Sequence, residues 1–154
     1  MPNDDKHYKE PSPKEQVPAR ALHHHVEEVR HEHEVQHEHE LEHEAELERH
    51  ARFEFMSRAF TEEDRQHVKD LISNAVHAGE FEVEVLRFPA AYLDDKGRAI
   101  NNREADWPRS LTGYAESLYA AYLDVAQPLG YRIKARVLNY PRGMIGDIAL
   151  VLEW

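Results

Sequence analysis

The chain has 154 residues, a formal net charge of -11 with histidine neutral, and no cysteine. The lack of cysteine excludes disulfides and thiolate metal sites. The acidic balance argues against binding to nucleic-acid phosphates or anionic membrane surfaces and favours cations or basic partners. The length allows one compact domain of roughly 90–100 residues together with an appendage.

Residues 1–18 contain four of the eight prolines and almost nothing apolar, which predicts a disordered or extended tail. This stretch has no apolar signal region, and the whole sequence has no run of about 18 apolar residues. The sequence therefore predicts a cytoplasmic protein that does not enter a membrane.

Residues 19–52 are dense in histidine and glutamate. Nine of the twelve histidines and ten glutamates lie between Leu22 and His50, and no glycine or proline interrupts Ala19 to Ala51. A six-residue repeat (HEHEVQ, HEHELE, HEAELE) is visible, but residues six apart scatter around a helix and form no apolar face. Because Glu, Ala, Leu, Arg and Gln favour helix, the segment is predicted to be a long helical appendage.

Steps of three and four residues place two stripes on this helix. The first stripe is apolar at its ends and consists of His and Glu in the middle: Leu22, Val26, Val29, His33, His37, Glu40, Glu44, Leu47 and Ala51. The second stripe consists of His39, His43, Glu46 and His50. Residues four apart lie side by side on a helix, so a histidine pair can offer two imidazoles to one ion, and a glutamate one turn on adds a carboxylate.

Imidazole ligands suit zinc, nickel and copper. The candidate metal ligands are therefore His33, His37, Glu40, Glu44, His39, His43, Glu46 and His50, with Ni²⁺ or Zn²⁺ as the predicted ion. The predicted function is metal buffering or delivery, with the coordination completed by water or by a second copy. The metalloprotease pattern H-E-x-x-H is absent, so no hydrolase is implied.

Two other interpretations of the helix stay open. It could pair with itself or with a basic protein partner, with histidine protonation near pH 6 tuning that assembly. Polar groups at the seam positions of such a pair would weaken it unless they are satisfied. The helix could also be a solvated, charge-rich segment with no further role.

Residues 53–154 predict a small α+β domain. An apolar cluster (Phe53, Phe55, Met56 and Phe60) is expected where the appendage docks. Thr61 is then expected to cap a helix that ends at Gly79. The next predicted element is a strand at 81–88 whose alternation places Phe81, Val83 and Val85 inward. A polar loop at 89–108, a helix at 109–127 and strands at 131–140 and 147–154 are predicted to follow.

The expected architecture is α-β-α-β-β, a two-layer fold with a three-stranded mixed sheet. Outward-facing Glu82 and Glu84 complement the bases of the second strand, Arg132, Lys134 and Arg136, which predicts that the first two strands are neighbours. Their connection would then be a right-handed crossover. Three strands are few, so the sheet edge is a second place where a homodimer could form.

The loop at 89–108 is longer than a connection needs and is the alternative candidate site. Its polar residues (Asp94, Asp95, Arg98, Asn101, Asn102 and Asp106) could bind a small molecule or serve an enzyme. Ordinary turn chemistry explains the same residues, and no spacing identifies a catalytic group. The protein is therefore predicted to be non-enzymatic.

Overall fold

The computed structural model describes residues 18–154, so the predicted tail, apart from Pro18, lies outside the described residues. The chain divides into two compact units between Leu47 and Glu48. Helix α1 spans Ala19–Ser57, and none of its 39 residues is buried. The predicted long N-terminal helix is confirmed. Among the described residues, no helix combines the length and apolar character that a membrane crossing requires.

The second unit is an α+β domain, as predicted. Its regular elements are α2 (Glu62–His77), β1 (Glu82–Pro89), α3 (Arg98–Asn101), α4 (Gly113–Ala121), β2 (Arg132–Val137) and β3 (Asp147–Glu153). The predicted helix at 109–127 is in fact three pieces. A 3-10 turn precedes α4, and a π-helical turn at Tyr122–Ala126 follows it.

Helix α2 begins where the sequence predicts. The hydroxyl of Thr61 accepts a hydrogen bond from the Asp64 backbone N–H at 3.3 Å, and the Asp64 carboxylate accepts one from the Thr61 N–H at 2.9 Å. This reciprocal pair is a capping box, which satisfies two backbone donors that the first turn of a helix leaves free.

The sheet order is β1-β3-β2, and both pairings are antiparallel. The prediction of a mixed sheet with β1 beside β2 is therefore wrong. Strand β3 lies in the centre because its residues from Ile148 to Leu152 are apolar on both faces, and all five are buried. A continuous apolar run of this kind is typical of a strand that is covered on both sides.

The charge complementarity behind that prediction is nevertheless present. The Lys134 ammonium lies 2.7 Å from Glu82 and 2.6 Å from Glu153, and the Arg136 guanidinium lies 2.7 Å from Glu82. Their long side chains reach across β3, whose residues on this face, Ala149 and Val151, are small. Ion pairs thus connect β1 and β2 across the intervening strand β3.

A β-bulge in β1 changes which of its residues face the core, so the predicted alternation along this strand is wrong. The pairing with β3 shifts between Glu84 and Leu86, so Val85 is an extra residue. The bulge changes the alternation, and Leu86 and Phe88 now face the core together with Val85. Phe81, predicted to point inward, is 75% exposed.

The segment 89–108 was predicted to be a polar loop, and this too is wrong. It contains a 3-10 turn at Ala90–Tyr92 and the short helix α3, and it buries five side chains: Ala90, Tyr92, Leu93, Ala99 and Ile100. These buried side chains form two short groups in the sequence, at 90–93 and 99–100, and residues 94–98 between them are mostly polar.

The last turns of α1, from Glu48 onward, belong to the domain. The Phe55 ring packs 5.2 Å from the Phe88 ring and 5.0 Å from the Tyr92 ring, measured between centroids. Met56 and Phe60 also pack against the core, whereas Phe53 stays exposed. Three of the four residues in the predicted apolar cluster thus pack against the core of the domain.

Candidate functional sites

The eight predicted metal ligands all lie on α1, and all are exposed to solvent. Because α1 is uninterrupted from Ala19 to Ser57, helical spacing holds through the whole His/Glu segment. His33 and His37 are therefore neighbours on one face, and His39 and His43 are neighbours on another, with about 5–6 Å between Cβ atoms.

Several imidazoles of α1 already lie beside carboxylates. The Nδ1 atom of His24 lies 3.3 Å from Glu28, and that of His39 lies 4.0 Å from Glu42. Within residues 18–154, however, no group of three or more His, Asp and Glu side chains is arranged to hold a metal ion. One copy of the helix therefore offers pairs of ligands and not a closed coordination shell.

The loop candidates are used for local structure. The Asp95 carboxylate accepts hydrogen bonds from the backbone N–H groups of Gly97 at 2.9 Å and Ala99 at 2.8 Å, which holds the turn before α3. Asp94, Arg98 and Asp106 are exposed. Turn formation accounts for the role of Asp95 without a ligand.

The two asparagines of the loop have side-chain partners as well. The Asn101 side-chain oxygen accepts a hydrogen bond from the Tyr140 hydroxyl at 2.7 Å, and the Asn102 amide donates to Glu104 at 3.2 Å. The first bond ties the segment 89–108 to the turn that precedes β3. The hydrogen bonds of these loop side chains go to different groups, so they do not show a shared binding point.

A cluster that the sequence does not reveal joins the end of α1, α2 and α4. The Arg58 guanidinium forms an ion pair with Asp64 and lies 4.3 Å from the centre of the Tyr114 ring. Burial and the nearby Asp64 carboxylate raise the pKa of Tyr114 to about 12. Partial desolvation acts to raise the pKa of Asp64, but the hydrogen bonds from Thr61 and the charge of Arg58 outweigh it and lower that pKa.

This cluster fixes the junction between α1 and α2. All of its charged groups are paired, and the Tyr114 hydroxyl stays protonated far above neutral pH. The cluster therefore has a structural role. The sequence identifies Thr61 as a helix cap. It gives no signal for the contacts of Arg58 with Asp64, six residues away, or with Tyr114, in a distant part of the chain.

In comparisons with known proteins, no protein-family model, no curated protein and no solved structure matches the chain. The side chains and their geometry are therefore the basis for a functional proposal.

Proposed function

We propose that α1 binds divalent metal ions, with Ni²⁺ or Zn²⁺ as the ion, and that the protein buffers or delivers them in the cytoplasm. The observation that carries this proposal is the unbroken, solvent-exposed helix on which two histidine pairs occur at four-residue spacing. Imidazole is the donor that both ions prefer among the side chains available, since the chain contains no cysteine.

Exposure of the helix supports ready exchange of the ion. None of the candidate imidazoles has to be uncovered before it can bind a metal, because no residue of α1 is buried. A site with two imidazoles and one carboxylate leaves at least one position for water on a tetrahedral ion. Moderate affinity and an open position suit transfer to another protein better than permanent storage.

The carboxylates contribute through charge. Residues 21–50 contain ten glutamates against two arginines, so this stretch alone carries a charge of -8 with histidine neutral. Such a field attracts cations to the helix before any coordination bond forms. Glu40 and Glu46 each lie one turn beyond a histidine of a pair and are the nearest candidates for a third ligand.

Assembly through α1 is the second candidate. The observation that favours it is the exposure of most large apolar residues of the His/Glu segment, among them Leu22, Val26, Leu41 and Leu47. In this case a second copy or a basic partner covers the helix, and the histidines affect only its pH dependence. Metal would then have no effect on the oligomeric state.

Calorimetric titration of Zn²⁺ and Ni²⁺ into the full chain tests the proposal. We expect micromolar or tighter binding of up to two ions per chain, and loss of one of them in the double variant His33→Gln, His37→Gln. Binding should weaken as the pH is lowered, because protons compete with the metal ion for imidazole nitrogen.

The matched control is His67→Gln, His77→Gln, which removes two histidines from α2 and none from α1. It should leave the titration unchanged. Unsaturable millimolar uptake, or equal losses in both double variants, would overturn the proposal. Sedimentation with and without Zn²⁺ then separates metal-dependent pairing from pairing that ignores the metal.

A further inference from the structure

The domain contains an apolar cavity of about 170 Å³ between α2 and the C-terminal end of α4. Its floor is the inner face of the sheet, where Val85, Ile133 and Leu152 meet. Ile72 of α2 and Leu118 of α4 also line it. The cavity belongs wholly to the domain and is independent of the metal-binding proposal.

The cavity lies on the side of the core that α2 covers incompletely. Helix α4 buries Tyr114, Ala115 and Leu118, whereas α2 buries no residue completely. Beyond α4 the chain forms the π-helical turn Tyr122–Ala126, a departure from α-helix that is frequent at functional sites. Leu129, at the mouth, is 72% exposed. Apolar surface that the fold leaves uncovered therefore surrounds the opening.

The polar groups at this cavity define what it can accept. The Tyr122 hydroxyl already donates to the Tyr131 carbonyl at 3.0 Å, so it is not free for a ligand. The charged residues of the wall are Arg65 and Lys69, both basic, in a chain with a net charge of -11. Arg65 pairs with Glu62 at 3.3 Å, while Lys69 has no ion-pair partner among the described residues.

We propose that this cavity binds an amphipathic monocarboxylate whose hydrocarbon body fills the interior and whose carboxylate contacts Lys69 at the mouth. An apolar cavity of about 150 Å³ holds a benzene ring, so the body that fits is a medium-length chain or a single aryl ring. The apolar walls reject a polar body, because its groups would lose their hydrogen bonds with water on entry. The lysine selects an anionic head over a neutral or cationic one.

Calorimetric titration of the full chain with octanoate, octan-1-ol and octylamine tests the proposal. We expect saturable binding of one octanoate per chain, weaker binding of the alcohol and no binding of the amine. Lys69→Gln should weaken octanoate binding about tenfold, the loss of one charge-assisted hydrogen bond at an exposed mouth, and leave the alcohol unchanged within about twofold. Lys96→Gln, which removes the same charge away from the cavity, is the matched control.

A second variant tests the interior. Ala121 lines the cavity, and Ala121→Leu should abolish binding of both octanoate and octanol if the larger side chain fills the space. Because Lys69 is exposed, its substitution should not disturb folding, so the charge test stands even if Ala121→Leu unfolds the domain. Equal binding of octanoate and octylamine, no octanoate binding, or an identical loss in the two lysine variants would overturn the proposal. A dimer that Ala121→Leu dissociates would also overturn it and assign the cavity to a second copy.

Discussion

The helical segment at residues 19–47 and the domain at residues 48–154 are stabilised by different interactions. The first buries no side chain, so helix propensity, backbone hydrogen bonds and pairs such as His23 with Glu27 at 3.5 Å hold it together. Such pairs are exposed to solvent, and each contributes little to stability. The domain instead encloses a core around β3 and α4. Packing therefore restricts which residues the domain can contain. Residues 19–47 need only favour helix, so their side chains can serve another chemical role.

Two leucine substitutions test this difference between the helix and the domain most directly. Leu150, in the central strand, is 0% exposed, and Leu41, in α1, is 52% exposed. Leu150→Ala should lower the free energy of unfolding by about 2–5 kcal/mol because it removes apolar burial and leaves a cavity. Leu41→Ala should change it by less than about 0.5 kcal/mol. Urea unfolding followed by the fluorescence of Trp107 and Trp154 measures both, and a similar loss in the two variants would contradict the comparison.

A glycine substitution tests whether the last turn of α1 is part of the domain. Gly113 has φ +55, and a Cβ there would lie 2.6 Å from the Phe55 carbonyl oxygen. Gly113→Ala should cost about 1–3 kcal/mol from this steric conflict, in addition to about 1–2 kcal/mol for a left-handed non-glycine residue.

Gly130 is the matched control, since its φ is +94 and nothing lies within 4 Å of its Cβ position. Gly130→Ala should show only the conformational cost. Thermal unfolding of the two variants isolates the contact with Phe55. Equal destabilisation would mean that the end of α1 moves away at no cost.

The smallest effect concerns the ion pairs across β3. Hydrogen bonds from Lys134 and Arg136 lower the pKa of Glu82 below its ordinary value of 4.5. A lowered carboxyl pKa stabilises the fold above about pH 4.5, and this contribution is lost as the pH falls through the folded-state pKa.

Glu82→Gln should therefore reduce stability at pH 7 by no more than about 0.5 kcal/mol, since solvent screens the exposed pairs. The difference from the parent chain should shrink as the pH falls below about 4.5. Glu80→Gln removes an exposed carboxylate just outside β1 and should have no effect at any pH in this range. Urea titrations at pH 7 and at successively lower pH values provide the measurement, and a Glu82 effect that does not shrink as the pH falls would contradict the electrostatic cause.

Local signals in the sequence predicted the elements but not all of their contacts. The cap at Thr61, the long helix and all three strands follow from spacing and turn residues, and the structure contains them. Charge complementarity predicts direct pairing of β1 and β2, but β3 lies between them. Lys134 is long enough to reach Glu82 over an intervening strand, so charge alone does not determine strand order.

The two candidate sites also differ in how far the sequence predicts them. Histidine spacing on α1 can be read from the sequence because a continuous helix converts sequence distance directly into spatial distance. The cavity could not be predicted, because its walls come from α2, β1, α4, β2 and β3 together. A β-bulge at Val85 and a π-helical turn after Ala121 shape it, and neither leaves a clear trace in the hydrophobic pattern.

The central position of β3 has a consequence for synthesis of the chain. Strands β1 and β2 have no backbone hydrogen bonds to each other, and the backbone of each pairs only with residues 147–153. A ribosome that has released β1, α4 and β2 therefore holds two unpaired strands and an incomplete core. The sheet can form only when Ile148–Leu152 have also left the exit tunnel, because both pairings need β3. Until that moment the apolar faces of β1 and β2 are exposed, which makes this interval the one in which chaperone binding or aggregation competes with folding.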